Sequence, residues 1–200
     1  MKSTHLICLI LALFLIVFTA SFNLAQHQHG ADQEKSMANW MKYATPGQAH
    51  QFLAKQEGEW EMASKVWMQP GAPPAESTGK AHGKMILGGR YLQLHHHGTM
   101  MGLPFEGVAI VAYDNHLKKF ISIWIDNMGT GVSQSTGTLD DTGKVLTEQG
   151  EMYDAMSGHN LKMKTVTTQF SNDKFTMVMY HAMADGKEFK SMEMVYTRKK

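Results

Sequence analysis

From Glu59 to the C-terminus the chain runs as ten segments of eight to eleven residues, rich in Val, Ile, Thr, Tyr, Phe, Trp and Met and divided by Gly, Asn and Asp turn signals. Such segments read as β-strands. They fall at about 59–68, 77–86, 90–99, 105–114, 118–126, 132–139, 144–152, 160–169, 174–182 and 188–197. The links are tight: Gly88-Gly89, Asp114-Asn115, Asp140-Asp141-Thr142-Gly143, Ser171-Asn172-Asp173 and Asp185-Gly186, with one longer loop from Gln69 to Ala75 that holds three prolines. A connection of two to five residues cannot cross a sheet to make a parallel pair, so sequential strands must be antiparallel neighbours. Ten strands in a meander leave two exposed edges unless the sheet closes, and closure removes both. The expected fold is all-β: a closed antiparallel up-and-down barrel of about ten strands. At this size side chains cease to fill the lumen, which leaves room for a small ligand.

Ahead of the strands, Thr45-Pro46-Gly47-Gln48 offers an N-cap, a proline at the first helical position and a Gln three residues after the cap, with Gly58 past the end. This predicts one short N-terminal helix over about 46–56, with Phe52 and Leu53 facing the body and Gln51, Lys55 and Gln56 in water. Residues 26–44 are polar, with few large apolar side chains before Trp40, and read as a flexible segment. Residues 1–25 have the layout of a secretory signal peptide: Lys2, an apolar run from Leu6 to Phe18, then small and polar residues, with cleavage after Ala25 or Ser21. The run is short for a membrane span, and Cys8 lies within it, the wrong place for lipidation. The organisation expected is therefore leader 1–25, flexible segment 26–44 and barrel domain 45–200, in a secreted or periplasmic protein. Removing the leader takes Lys2 and the single Cys8, and leaves equal numbers of basic and acidic residues. A balanced chain has no electrostatic footprint for nucleic acid or an anionic membrane, and without cysteine it has neither disulfides nor thiol chemistry.

Gly58-Glu59-Trp60 opens the first strand and Tyr196-Thr197-Arg198 ends the last, so closure brings Trp60 and Arg198 together as a structural latch, worth about 0.5–2 kcal/mol as a cation–π pair. Gly-x-Trp at the first strand with an Arg on the last resembles the lipocalin and wider calycin barrels. A longer set resembles the bacterial family called domain of unknown function 1579: Gly88-Gly89-Arg90-Tyr91, Phe105-Glu106-Gly107, Tyr113-Asp114, Trp124-Ile125-Asp126 and the ending from Lys190 to Lys199. The resemblance runs from about Pro46 to the C-terminus. It implies a lipocalin-like barrel of secreted or cytosolic bacterial proteins, with no established activity and no catalytic residues to carry over.

In His95-His96-His97, alternation sends His95 and His97 to one face and His96 to the other, so at most two can share a metal. Leu92 and Leu94 share the phase of His96, which makes it the inward one. Glu106, Asp126 and His181 are polar residues in apolar stretches and are its candidate partners, as a metal site or as a polar anchor for a ligand. Trp124, ahead of Asp126 and a Gly-rich turn, is a candidate lining residue. Seventeen methionines are many for this length; Met177, Met179 and Met183 share one face, and such side chains suit a plastic apolar cavity. No helix follows Gly129 and Gly131 to build a phosphate cradle, and no serine stands in a nucleophile elbow.

These residues point to a binder of a small, mostly apolar molecule, not an enzyme and without a cofactor, contacting its ligand through His96, Glu106, Trp124, Asp126, Met179 and His181. The alternatives are a metal- or haem-binding barrel using His96, His181 and Met residues, or a structural envelope module with a filled lumen.

Overall fold

The computed structural model describes residue 30 and residues 32–100, 102–155, 157–183 and 186–200. The signal-peptide reading falls on 1–25, outside the described residues. The chain divides into two compact units, up to Thr45 and from Pro46 onward.

In the first unit, residues 32–44 form a helix, α1, where the sequence reading expected a flexible segment. The stretch Asp32 to Ala44 contains neither Gly nor Pro and is dominated by residues that lose little side-chain freedom in a helix, so local propensity favours one. The Thr45 hydroxyl donates to the Met41 carbonyl at 2.6 Å, so this residue closes α1 and does not cap the helix that follows.

In the second unit, α2 (Gln48–Ala54) begins at Gly47, whose N–H donates to His50 Nδ1 at 2.9 Å. Ten strands follow: β1 (Gly58–Val66), β2 (Ala75–Ile86), β3 (Tyr91–Met100), β4 (Leu103–Asp114), β5 (Lys119–Asp126), β6 (Ser133–Leu139), β7 (Val145–Asp154), β8 (His159–Ser171), β9 (Lys174–Ala182) and β10 (Glu188–Arg198). Every sequential pair is antiparallel and β1 pairs with β10, so the sheet closes on itself as the tight turns required.

Phe52 and Leu53 pack in one cluster with Leu92, Phe120 and Leu146, which come from β3, β5 and β7. Residues from strands so far apart meet only across the lumen, so α2 plugs one end of the barrel. Gln56, expected in water, is buried at 6% exposure. The reason is its carbonyl, which accepts the Trp60 indole N–H at 3.0 Å and so fixes the turn leaving α2 against β1. Beside it the Arg198 guanidinium carbon lies 4.2 Å from the Trp60 ring centroid. The same guanidinium donates to the carbonyls of Lys55, Glu57 and Asn172. One side chain thereby ties the end of α2, the first strand and the β8–β9 turn together.

Candidate functional site

The buried positions Trp60, Leu92, Leu94, His96, Phe120, Leu146, Glu148, Phe175 and Tyr196 set the inward phase of their strands. The wall they form is uneven. β1, β2, β3, β9 and β10 supply an apolar cluster of Trp60, Met62, Ala81, Leu94, Phe175, Met194 and Tyr196, with Met177 and Met192 packed against it. β6, β7 and β8 turn buried polar groups inward: Ser135, Glu148, Thr165, Thr167 and Gln169.

Glu148 is the centre of the polar side. Its carboxyl, 5% exposed, accepts hydrogen bonds from Ser122 Oγ at 2.6 Å and Ser135 Oγ at 3.5 Å. Burial pushes its pKa up, outweighing the two hydroxyls that lower it. The raised value means that the folded state holds this proton more tightly than the unfolded chain. Glu148 therefore contributes stability that is complete below its ordinary value of 4.5 and is lost as pH rises toward its folded value. The Glu148→Gln variant is expected to gain on the wild type as pH rises above 4.5. Urea unfolding at a series of pH values measures this, and parallel profiles would contradict it.

His96 is inward and 3% exposed, with Nε2 3.0 Å from the Tyr196 hydroxyl. Trp124 packs against it, ring centroids 5.1 Å apart, and stacks on Phe105 at 6.2 Å. A Cβ at Gly107 would lie 2.5 Å from the Trp124 ring, so glycine there makes the space that the indole fills. Asp126, in the same phase, accepts the Trp124 indole N–H at 2.7 Å and the Met128 N–H at 2.9 Å. Met179 and His181 follow the inward phase of Phe175 along β9. Burial lowers the pKa of His181, with Asp154 acting the other way, and its Nε2 finds no partner among the described residues.

Glu106 lies on the other face from the inward position its apolar surroundings suggest. It is the register partner of His97, on the outer face, and exposed, so it does not join His96 in the lumen. Nor are His96 and His181 brought into a metal-ligand group: among the described residues the cluster with that geometry is His95, His97 and Glu106. Sequence reasoning missed Glu148 and Gln169. The signal for Glu148 was its phase, two residues from Leu146 in a strand whose other side is polar.

A family model described as protein of unknown function, DUF1579, matches residues 45–198. No curated protein matches. Among solved structures, the chain is similar to Rv2717c from M. tuberculosis, at 14% identity and a TM-score of 0.55 over 78% of this chain and 100% of that one. It is also similar to a redesigned beta barrel, at 14% identity and a TM-score of 0.40 over the same shares.

Proposed function

The chain belongs to the domain of unknown function 1579 family, and from that premise we propose that it binds a small, mostly apolar molecule in the barrel without transforming it. The observation that supports this reading is the divided wall: a buried carboxyl with two hydroxyls faces an interior of aromatic and methionine side chains. His181 Nε2 and Gln169 Oε1 are buried without a partner among the described residues. A buried polar atom left unpaired costs about 1–3 kcal/mol, and a guest whose polar group reaches either atom removes that atom's cost while its apolar body contributes about 25 cal/mol per Å² buried. Burial pushes the Glu148 pKa up and so favours its neutral form, which suits a neutral polar group better than an anion. His96, Trp124, Asp126, Met179 and His181 complete the ligand-facing set. The leader read over residues 1–25 supports a place of action outside the cytoplasm, secreted or periplasmic.

Titration with an apolar naphthylamine fluorophore tests the site. Trp124→Ala is expected to weaken binding about tenfold, equivalent to about 1.4 kcal/mol, whereas Ile123→Ala, on the outer face, leaves it unchanged. Equal affinities for Trp124→Ala and wild type would remove Trp124 from the lining. Native mass spectrometry of protein isolated from its own host, compared with the denatured mass, would identify the guest; equal masses together with no probe binding would favour a filled barrel.

A further inference from the structure

We propose that the outer face of β3 and β4 carries a divalent transition-metal site formed by His95, His97 and Glu106, separate from the lumen. Alternation along β3 turns His96 inward and sends its two neighbours out together, their rings 18° from parallel with centroids 6.4 Å apart. The β3–β4 register sets Glu106 directly opposite His97. One ligand atom from each of the three residues lies within 4.8 Å of the others.

The three Cα positions are held by adjacent strands in a closed sheet, so the donor set is pre-organised at the backbone. Ligand bonds of about 2.0–2.2 Å to zinc require the most distant donor atoms to draw together by up to about 1.4 Å. His97 and Glu106 are exposed and His95 is half-buried, so side-chain rotation alone supplies that movement.

Two imidazoles and a carboxylate suit Zn²⁺, Co²⁺, Ni²⁺ or Cu²⁺. Mg²⁺ and Ca²⁺ prefer all-oxygen shells and are disfavoured. Three protein ligands leave a fourth position for water or for a donor from another molecule. On β2 the register partners are Lys80, beside His97, and His82, beside His95. The Lys80 ammonium opposes a cation and keeps the affinity below that of an enclosed structural site. His82 is engaged with Glu59 at 2.7 Å and leaves His95 free to turn toward the metal.

Calorimetric titration of the full mature chain with Zn²⁺, repeated with Co²⁺ to read the ligand-field spectrum, is the test. One ion per chain is expected, with a tetrahedral or five-coordinate cobalt spectrum. His97→Ala and Glu106→Gln should each weaken binding at least tenfold, while the exposed His159→Ala on β8 should not. Circular dichroism of each variant checks the fold, which surface substitutions leave intact. The absence of stoichiometric binding would overturn the proposal. So would unchanged affinity in His97→Ala, an outcome that would move the metal to other histidines such as His27 and His29. Zinc binding and fluorophore binding are separate readouts on the wild type, so this site and the lumen reading stand or fall separately.

Discussion

Replacing Gly83 with alanine is expected to cost about 3 kcal/mol and to lower the midpoint of thermal unfolding by roughly 10 °C. The added methyl would stand 2.0 Å from the Gln56 carbonyl oxygen and 2.9 Å from Leu94 Cδ1. The Leu94 methyl can rotate away, but the carbonyl cannot, because it holds the Trp60 indole N–H at 3.0 Å. The residues on either side of Gln56 are fixed as well: Arg198 donates to Lys55 at 2.9 Å and to Glu57 at 2.6 Å. Retreat of the turn would break a buried hydrogen bond and loosen the junction where the last strand meets the first. Gly131→Ala is the matched control, since a Cβ there meets nothing within 4 Å. Thermal circular dichroism of the two variants gives the answer, and equal midpoints would show that the α2–β1 turn is plastic.

The Gly83 contact also marks where the sequence stops being informative. Strand positions were legible to within about two residues, because turn signals stand between them and a β-rich segment of that length has few alternatives. Closure followed from tight turns and the need to hide two edges. The phase of each strand was less accessible. Leu92 and Leu94 declare the inward side of β3, and His96 follows. Val108, Ile110 and Val111 in β4 occupy both faces, so alternation is silent there, and Glu106 reads as inward only because it interrupts an apolar run. Its true side is fixed by pairing with His97, a relation between strands that no single segment encodes. Glu148 was hidden for a different reason: in β7 its phase is marked only by Leu146 and Met152, and a carboxyl among Thr, Gln and Gly looks like any surface residue until closure places it inside.

That buried wall makes acid sensitivity the second large expected effect. His96 is enclosed by Trp124 and Tyr196, and burial is the main cause holding its pKa down to about 4, with smaller contributions from the neighbouring His95 and His97. Burial also raises the Tyr196 pKa, so the hydroxyl facing His96 Nε2 stays protonated and neutral. The folded state thus keeps His96 neutral where the unfolded chain, titrating near 6.5, takes up a proton. A depressed histidine value means stability that is complete above pH 6.5 and lost as pH falls toward 4. The loss from this group is about 2 kcal/mol at pH 5 and about 3 kcal/mol at pH 4. His50 and His181, whose values are also lowered by burial, add in the same direction. Glu148 acts oppositely, gaining as pH falls, so the stability maximum lies where the two trends cross. Urea unfolding between pH 7 and pH 4 should therefore show a steep acid decline in the wild type. His96→Gln, although less stable at pH 7, should decline by about 3 kcal/mol less over the same range. If the two profiles fall in parallel, His96 is reached by water in the folded state and its contact with Tyr196 does not exclude the proton.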